Sequence, residues 1–173
     1  MKSLNRVVLV SSFRYFFLIG MSVFLCYTSC IGQGNSPVKF GKVKAEDFVI
    51  SSPLIDSNTN AVIVYDRGDI SFEGNKSGWF SYIFKRSTRI KLLDKKSFDL
   101  ATVELQLYKA EDGEQKAEKI SGVSYNIENG KVIEARLNEN DIFQQKYDKT
   151  HFFKKFTIPG VKEGCIIEYT YTI

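Results

Sequence analysis

The sequence predicts an all-β, antiparallel fold, and three observations carry that prediction. In Gly78–Asp94 the even positions run Phe80, Tyr82, Phe84, Arg86, Thr88, Ile90 and Leu92, while the odd ones include Ser81, Lys85, Ser87, Arg89 and Lys91, which is a strand period. The last stretch repeats it, with Cys165, Ile167, Tyr169, Tyr171 and Ile173 on one face and Glu168, Thr170 and Thr172 on the other. Between and around these, short alternating runs are separated by turn residues, and no apolar pattern sustains a helix of more than two turns.

The chain begins with a different composition. Lys2, Arg6 and Arg14 precede an apolar stretch from Phe16 to about Ile31, followed by Gly-Gln-Gly-Asn-Ser-Pro, the layout of a secretory signal. Residues 1–32 are therefore expected to be a signal peptide or a retained membrane anchor helix, and the mature protein to be exported, periplasmic or associated with the cell surface or outer membrane. Two amino termini fit the junction: a lipid-attached Cys30 after Tyr-Thr-Ser, or a plain cut after Gly32. Of the 24 basic side chains three lie in this leader, which leaves 21 against 20 acidic ones. The mature chain is nearly neutral and has no basic run with interleaved aromatics, so nucleic acid is not an expected partner. Any contact with a membrane is expected to run through the amino-terminal segment.

Residues 33–60 mix Pro37, Pro53 and several Ser and Asn with a few apolar anchors such as Phe40 and Phe48, and read as an extended arm or a linker. Lys44–Val49 suits one helical turn. Residues 61–173 then form the β domain. Ala61-Val-Ile-Val-Tyr-Asp is a short apolar strand ended by Arg67-Gly68, and Ile70 with Phe72 marks a second short strand up to Gly74. The Gly78–Asp94 strand would reach roughly 50 Å at about 3.3 Å per residue, so a bend or bulge is expected near Lys85–Ser87, where the strand can pass to a second sheet.

After a turn at Asp94-Lys-Lys-Ser, Ala101, Val103, Leu105 and Leu107 face one way in the next strand, and the charged run Lys109–Lys119 is a solvated hairpin loop. At Asn129-Gly130 the pattern favours a three-residue loop with Gly130 left-handed, which pairs Tyr125 with Ile133, Val123 with Ala135 and Ser121 with Leu137. Leu137–Lys149 is polar, with a single helical turn capped by Asn140 or Asp141. His151–Ile158 is a strand that brings Phe152, Phe156 and Ile158 together and is stopped by Pro159. Because the final strand ends on its own apolar face, the domain is expected to be incomplete at its carboxyl end.

Little in this chain suggests catalysis. Outside the leader there is one Cys, Cys165, and the chain has one His, His151. Cys165 lies in the inward series of its strand and reads as a small buried hydrophobe rather than a nucleophile. The zinc-ligand set is too small, and Asp66, Asp69 and Glu73 lack the oxygen-ligand spacing of a calcium loop. No catalytic residue, metal ligand or cofactor site is expected. Exposed aromatics offer a candidate binding face, Trp79 with Tyr82, or Tyr108 with Tyr125, for a glycan or peptide.

Several motifs in this chain resemble a known family. They are Lys39-Phe-Gly-Lys-Val, Glu46-Asp-Phe, Phe72-Glu-Gly-Asn, Gly78-Trp-Phe, Phe84-Lys-Arg-Ser-Thr-Arg-Ile-Lys, Tyr125-Asn-Ile-Glu-Asn-Gly-Lys-Val and Lys146-Tyr-Asp-Lys. The most specific is Phe156-Thr-Ile-Pro-Gly-Val-Lys-Glu-Gly-Cys-Ile-Ile-Glu-Tyr-Thr-Tyr. From about Lys39 onward the chain resembles the amino-terminal domain of unknown function that precedes a transglutaminase-like domain in exported bacterial proteins. The resemblance implies an immunoglobulin-like antiparallel β-sandwich, truncated here, and a downstream domain with a Cys-His-Asp triad as its partner. No triad position exists in this chain, and Cys165 stands where the family has a small polar residue. The implied function is a non-catalytic accessory module of an exported transglutaminase-like protein. The alternative is a freestanding surface or periplasmic domain that binds glycan or peptide.

Overall fold

The computed structural model describes residues 38–173 apart from 77 and 112, so the leader, the transmembrane and lipidation expectations, and Cys30 lie outside the described residues. No described helix is long and apolar enough to cross a membrane.

The expected antiparallel all-β class is what the described residues form. Nine strands run β1 (Ala61–Gly74), β2 (Phe80–Leu92), β3 (Thr102–Ala110), β4 (Gly113–Glu114), β5 (Glu118–Glu128), β6 (Lys131–Arg136), β7 (Phe143–Lys146), β8 (His151–Thr157) and β9 (Ile166–Thr172). They make a five-stranded sheet in the order β1-β2-β9-β5-β6 and a four-stranded sheet in the order β4-β3-β8-β7. Every pairing is antiparallel. The only helical elements described are 3-10 turns at Ala45–Phe48, Lys95–Ala101 and Glu139–Asp141.

The period-2 series of the sequence supplies the core. Ile90, Leu92, Cys165, Ile167, Tyr169 and Tyr171 from the first sheet and Leu105, Leu107, Phe152 and Phe156 from the second belong to one buried cluster. The rings are edge-on or stacked within it, Phe156 to Tyr169 and Tyr169 to Tyr171. The other face of the five-stranded sheet carries a smaller cluster, Val123, Tyr125 and Ile166, closed by Phe40, Val43 and Phe48 from the segment that precedes β1.

Four expectations from the sequence need correction. β1 is one strand of 14 residues rather than two short ones, because pairing with β2 continues through Arg67-Gly68. An added Cβ at Gly68 would lie 2.8 Å from the Phe84 ring, so the missing side chain lets that ring cross its neighbour. The irregularity expected in β2 near Lys85–Ser87 is instead a register shift in β1 between Ile63 and Tyr65, and β2 stays within one sheet. The polar segment after Leu137 holds a fourth strand of the smaller sheet, β7, and the turn before it is capped by Asn138, whose side chain accepts from the Asn140 N–H.

The fourth correction is the β5–β6 register. Asn126 pairs with Ile133 and Val123 with Arg136, around a two-residue Asn129-Gly130 turn. Both turn residues have positive φ, 51° and 74°, the combination whose twist matches a hairpin. The apolar pattern misled because β5 is buried on both faces. Val123 and Tyr125 face the arm, while Ser124 and Asn126 face the four-stranded sheet and donate to the carbonyls of Pro159 and Gly160, at 2.6 and 2.9 Å.

Candidate functional site

Three places in the fold concentrate polar or aromatic side chains. The first is buried. Arg89 on β2 and Glu168 on β9 are register partners in the centre of the larger sheet, on the face turned away from the main core. They are only 3% and 2% exposed. The Glu168 carboxylate accepts from Arg89 Nε at 2.6 Å, from the Gly41 N–H at 2.8 Å and from the Tyr125 hydroxyl at 3.0 Å. Arg89 also donates to the carbonyls of Lys39 and Lys42, and Lys91 donates to the carbonyl of Phe48. Burial, and then the neighbouring Glu168 charge, push the Tyr125 hydroxyl well above the usual tyrosine range. Every polar atom in this cluster is satisfied by the protein itself, so its work is to tie residues 39–48 to the sheet.

The second place holds the two classical nucleophile and base side chains, and the structure keeps them apart. Cys165 is 1% exposed in the main core, where burial pushes its thiol above the usual value. His151 opens β8 in the other sheet, on a strand that does not pair with β9. Its Nδ1 lies 3.0 Å from Asp148 Oδ2 and its ring packs edge-on against Tyr108. The Thr150 and His151 backbone N–H groups hold the Asp148 carboxylate down at about 2. This is a tight local turn, and nothing in it reaches Cys165.

The acidic trio of the β1 hairpin is also occupied in part. Asp66 accepts from Arg86 Nε and Nη2 and from the Thr88 hydroxyl, which hold it below the usual carboxylate range, and Asp69 pairs with Arg67. Among the described residues no group of three or more His, Cys, Asp or Glu is arranged to hold a metal ion.

The third place is the outer end of the β1–β2 hairpin. There Phe80–Ile83 of β2 pair with Ser71–Gly74 of β1. Side chains there stay outside: Phe72, Trp79 and Phe80 are 73%, 75% and 77% exposed. Trp79 sits in the turn, its N–H donating to Asn75 Oδ1. Tyr82, three residues on, faces a groove of about 520 Å³ that it lines with Phe80, Ile83, Tyr108, Gln115 and Ile173. Gln115 spans that groove, its Nε2 donating to the Tyr82 hydroxyl and its Oε1 accepting from the Tyr108 N–H, both at 3.0 Å. Of the aromatic pairs named from the sequence, Trp79 is at the tip and Tyr82 in the groove. Tyr108 joins Tyr82 rather than Tyr125, which is buried beneath the arm. Phe80 and Gln115 are the groove residues that sequence reasoning passed over.

No family model matches the chain, and no curated protein matches it. A crystal structure described as a "putative protease" from Parabacteroides distasonis is similar over 65% of this chain, with 12% identity and a TM-score of 0.45. The chain spans 22% of that structure's length.

Proposed function

We propose that this chain is a non-catalytic accessory module of an exported transglutaminase-like protein, in which chemistry belongs to a partner domain and this domain supplies a docking surface. Its architecture in this reading is an immunoglobulin-like β-sandwich over residues 61–173, preceded by a leader at 1–32 and an arm at 33–60. The motif resemblance supports the context, and the two sheets that share one core support the sandwich.

The observation that carries the docking role is the hairpin end, where Phe72, Trp79 and Phe80 stand exposed. Isolated apolar side chains at a surface need no explanation, but several large aromatics exposed at one hairpin end favour an interaction surface. Trp79 is the single tryptophan of the chain, so its fluorescence reports on this end alone.

The test uses the full chain. Titration with a purified transglutaminase-like domain is expected to shift the Trp79 emission, and the chain alone is expected to show no peptide hydrolysis or amine transfer. Turnover by the chain alone that Cys165→Ala abolishes would overturn the reading. The exposed aromatics favour one alternative, a freestanding glycan- or peptide-binding domain; a glycan-array signal lost in Trp79→Ala, with no response to the transglutaminase-like domain, would select it.

A further inference from the structure

We infer that the outer face of the four-stranded sheet, where β3, β8 and β7 lie side by side, is a binding site for a short neutral glycan. This face belongs to the other sheet from the hairpin end, and the inference stands whether or not that end docks a transglutaminase-like domain.

Register builds the face. Gln106 and Gln145 are the partners of Phe153 on its two sides, and Glu104 and Phe143 are those of Lys155. Tyr108 pairs with His151 on one side, and the Tyr147 N–H donates to the His151 carbonyl on the other. Because Leu105, Leu107, Phe152 and Phe156 turn into the main core, these alternate residues turn away from it. The result is three rows across three strands, with an aromatic ring in each row and polar side chains between the rings. Phe143, Tyr147 and Tyr108 are exposed, and Phe153 in the centre is half-buried.

The face is hollowed toward β7. The Tyr147 and Phe153 rings meet edge-on, centroids 5.4 Å apart at 81°, and with Phe143, Gln145, Glu104 and Lys155 they line a cavity of about 200 Å³. That is smaller than the roughly 300 Å³ at which sites begin to enclose a whole drug-sized ligand. It suits one ring of a longer molecule, seated between a flat wall and an upright one.

Charge and hydrogen bonding select the ligand. Lys155 and Glu104 pair at 3.4 Å, and Lys146 at the cavity rim alternates to the other face of β7. A lining balanced in this way gives no attraction to nucleic acid or to an acidic segment. The amides of Gln106 and Gln145 are exposed and, among the described residues, have no hydrogen-bond partner. Each can donate and accept at once, as a sugar hydroxyl requires. A sugar ring adds a C–H face that stacks on the electron-rich face of an aromatic ring. A protein partner would need about 800 Å² on this side. Three strands about 4.8 Å apart and three rows about 6.6 Å apart span only about 10 by 13 Å.

The test titrates the isotopically labelled full chain with cellopentaose, mannopentaose, maltopentaose and chitopentaose, each to about 10 mM. The readout is the side-chain amide resonances of Gln106 and Gln145, with the Trp79 indole N–H reporting on the hairpin end. At least one sugar is expected to shift both amides saturably. Gln145→Ala should weaken that binding about tenfold and Tyr147→Ala at least tenfold, while Tyr147→Phe, which keeps the ring, retains it. Both side chains are exposed, so these variants are expected to fold. No amide shift from any of the four sugars overturns the proposal. So does a shift confined to Trp79, or binding unchanged in Tyr147→Ala. Amide shifts that grow with protein concentration without sugar would assign the face to a second copy, and shifts produced only by a transglutaminase-like domain would assign it to a protein partner. Either result overturns the glycan.

Discussion

Removing the Glu168 side chain should be among the most destabilising single changes in this protein. Glu168→Ala leaves the Arg89 guanidinium, 3% exposed, with two arm carbonyls and no carboxylate closer than Asp47 Oδ2 at 3.7 Å. Breaking a buried pair by deleting one partner costs about 3–5 kcal/mol, because a desolvated charge is left uncompensated. Arg89→Met leaves the converse charge on Glu168 and should cost a similar amount. Simple addition of the two, about 6–10 kcal/mol, would consume most of the 5–15 kcal/mol typical of a domain. The double variant Arg89→Met, Glu168→Leu buries no charge at all. What it loses is the partner of the Tyr125 hydroxyl and of the Gly41 N–H, at about 1 kcal/mol or somewhat more each. It is therefore expected to be more stable than either single variant, and at least 3 kcal/mol better than their sum.

The assay is urea unfolding of all four proteins with shared m-values, with exchange at the Gly41 amide as the local reading of arm attachment. In both single variants that amide is expected to exchange faster before the sheet unfolds. Losses that add to within about 0.5 kcal/mol would refute the reasoning, since independent sites behave that way and a shared buried charge does not.

The remaining predictions probe other parts of the fold. Cys165, 1% exposed and with its thiol pushed up by burial, should resist alkylation in the native protein and label fully in denaturant, as read by mass spectrometry of its own peptide. Tyr125 should ionise above the ordinary tyrosine range, and an alkaline absorbance titration should show a late phase that Tyr125→Phe removes. Its raised folded value means that its stabilisation is complete below the ordinary tyrosine range near pH 10 and is lost as pH rises through the folded value, so its ionisation should coincide with release of the arm. Asp148 has the opposite sign: held at about 2, it stabilises the 148–151 turn above its ordinary value of 3.8 and releases it as pH falls between the two. Protection of the Thr150 and His151 amides, taken relative to their intrinsic exchange, should fall across that window, and Asp148→Asn should remove that fall. Gly160→Ala places a Cβ 2.7 Å from that of Ala135 at φ +67°, whereas Gly164→Ala meets open space at φ +80°. Chemical denaturation should show the first costing about 2 kcal/mol more than the second, through crowding beyond the shared left-handed strain.

Period alone located the chemistry of the main core. The alternation of β9 and of Leu105 and Leu107 put the right side chains inward because one side of those strands meets the other sheet. The same rule hid the buried ion pair. Arg89 and Glu168 occupy positions that alternation assigns to solvent, and they are covered only because residues 39–48 fold back across the sheet, a tertiary event that no local pattern encodes. The β5–β6 register failed for a related reason, since a strand covered on both faces has no polar side to anchor it. Asn129-Gly130, the local turn signal, was the better guide there. β7 was invisible because Phe143, Gln144, Gln145 and Lys146 are all exposed and carry no alternation. The aromatic end was half legible: Trp79 and Tyr82 stood out by type, but the groove beside Tyr82 is closed by Gln115 from a charged loop that looked merely solvated.

The tie at Gly41 also decides how the domain would answer a mechanical load. Tension carried along residues 39–42 bears on the Gly41 N–H and on the carbonyls of Lys39 and Lys42. Their partners, Glu168 and Arg89, belong to β9 and β2, two adjacent strands of the larger sheet. The pull is thus spread over several short bonds that must yield together, and it reaches the interior of the sheet rather than an edge that would peel one rung at a time.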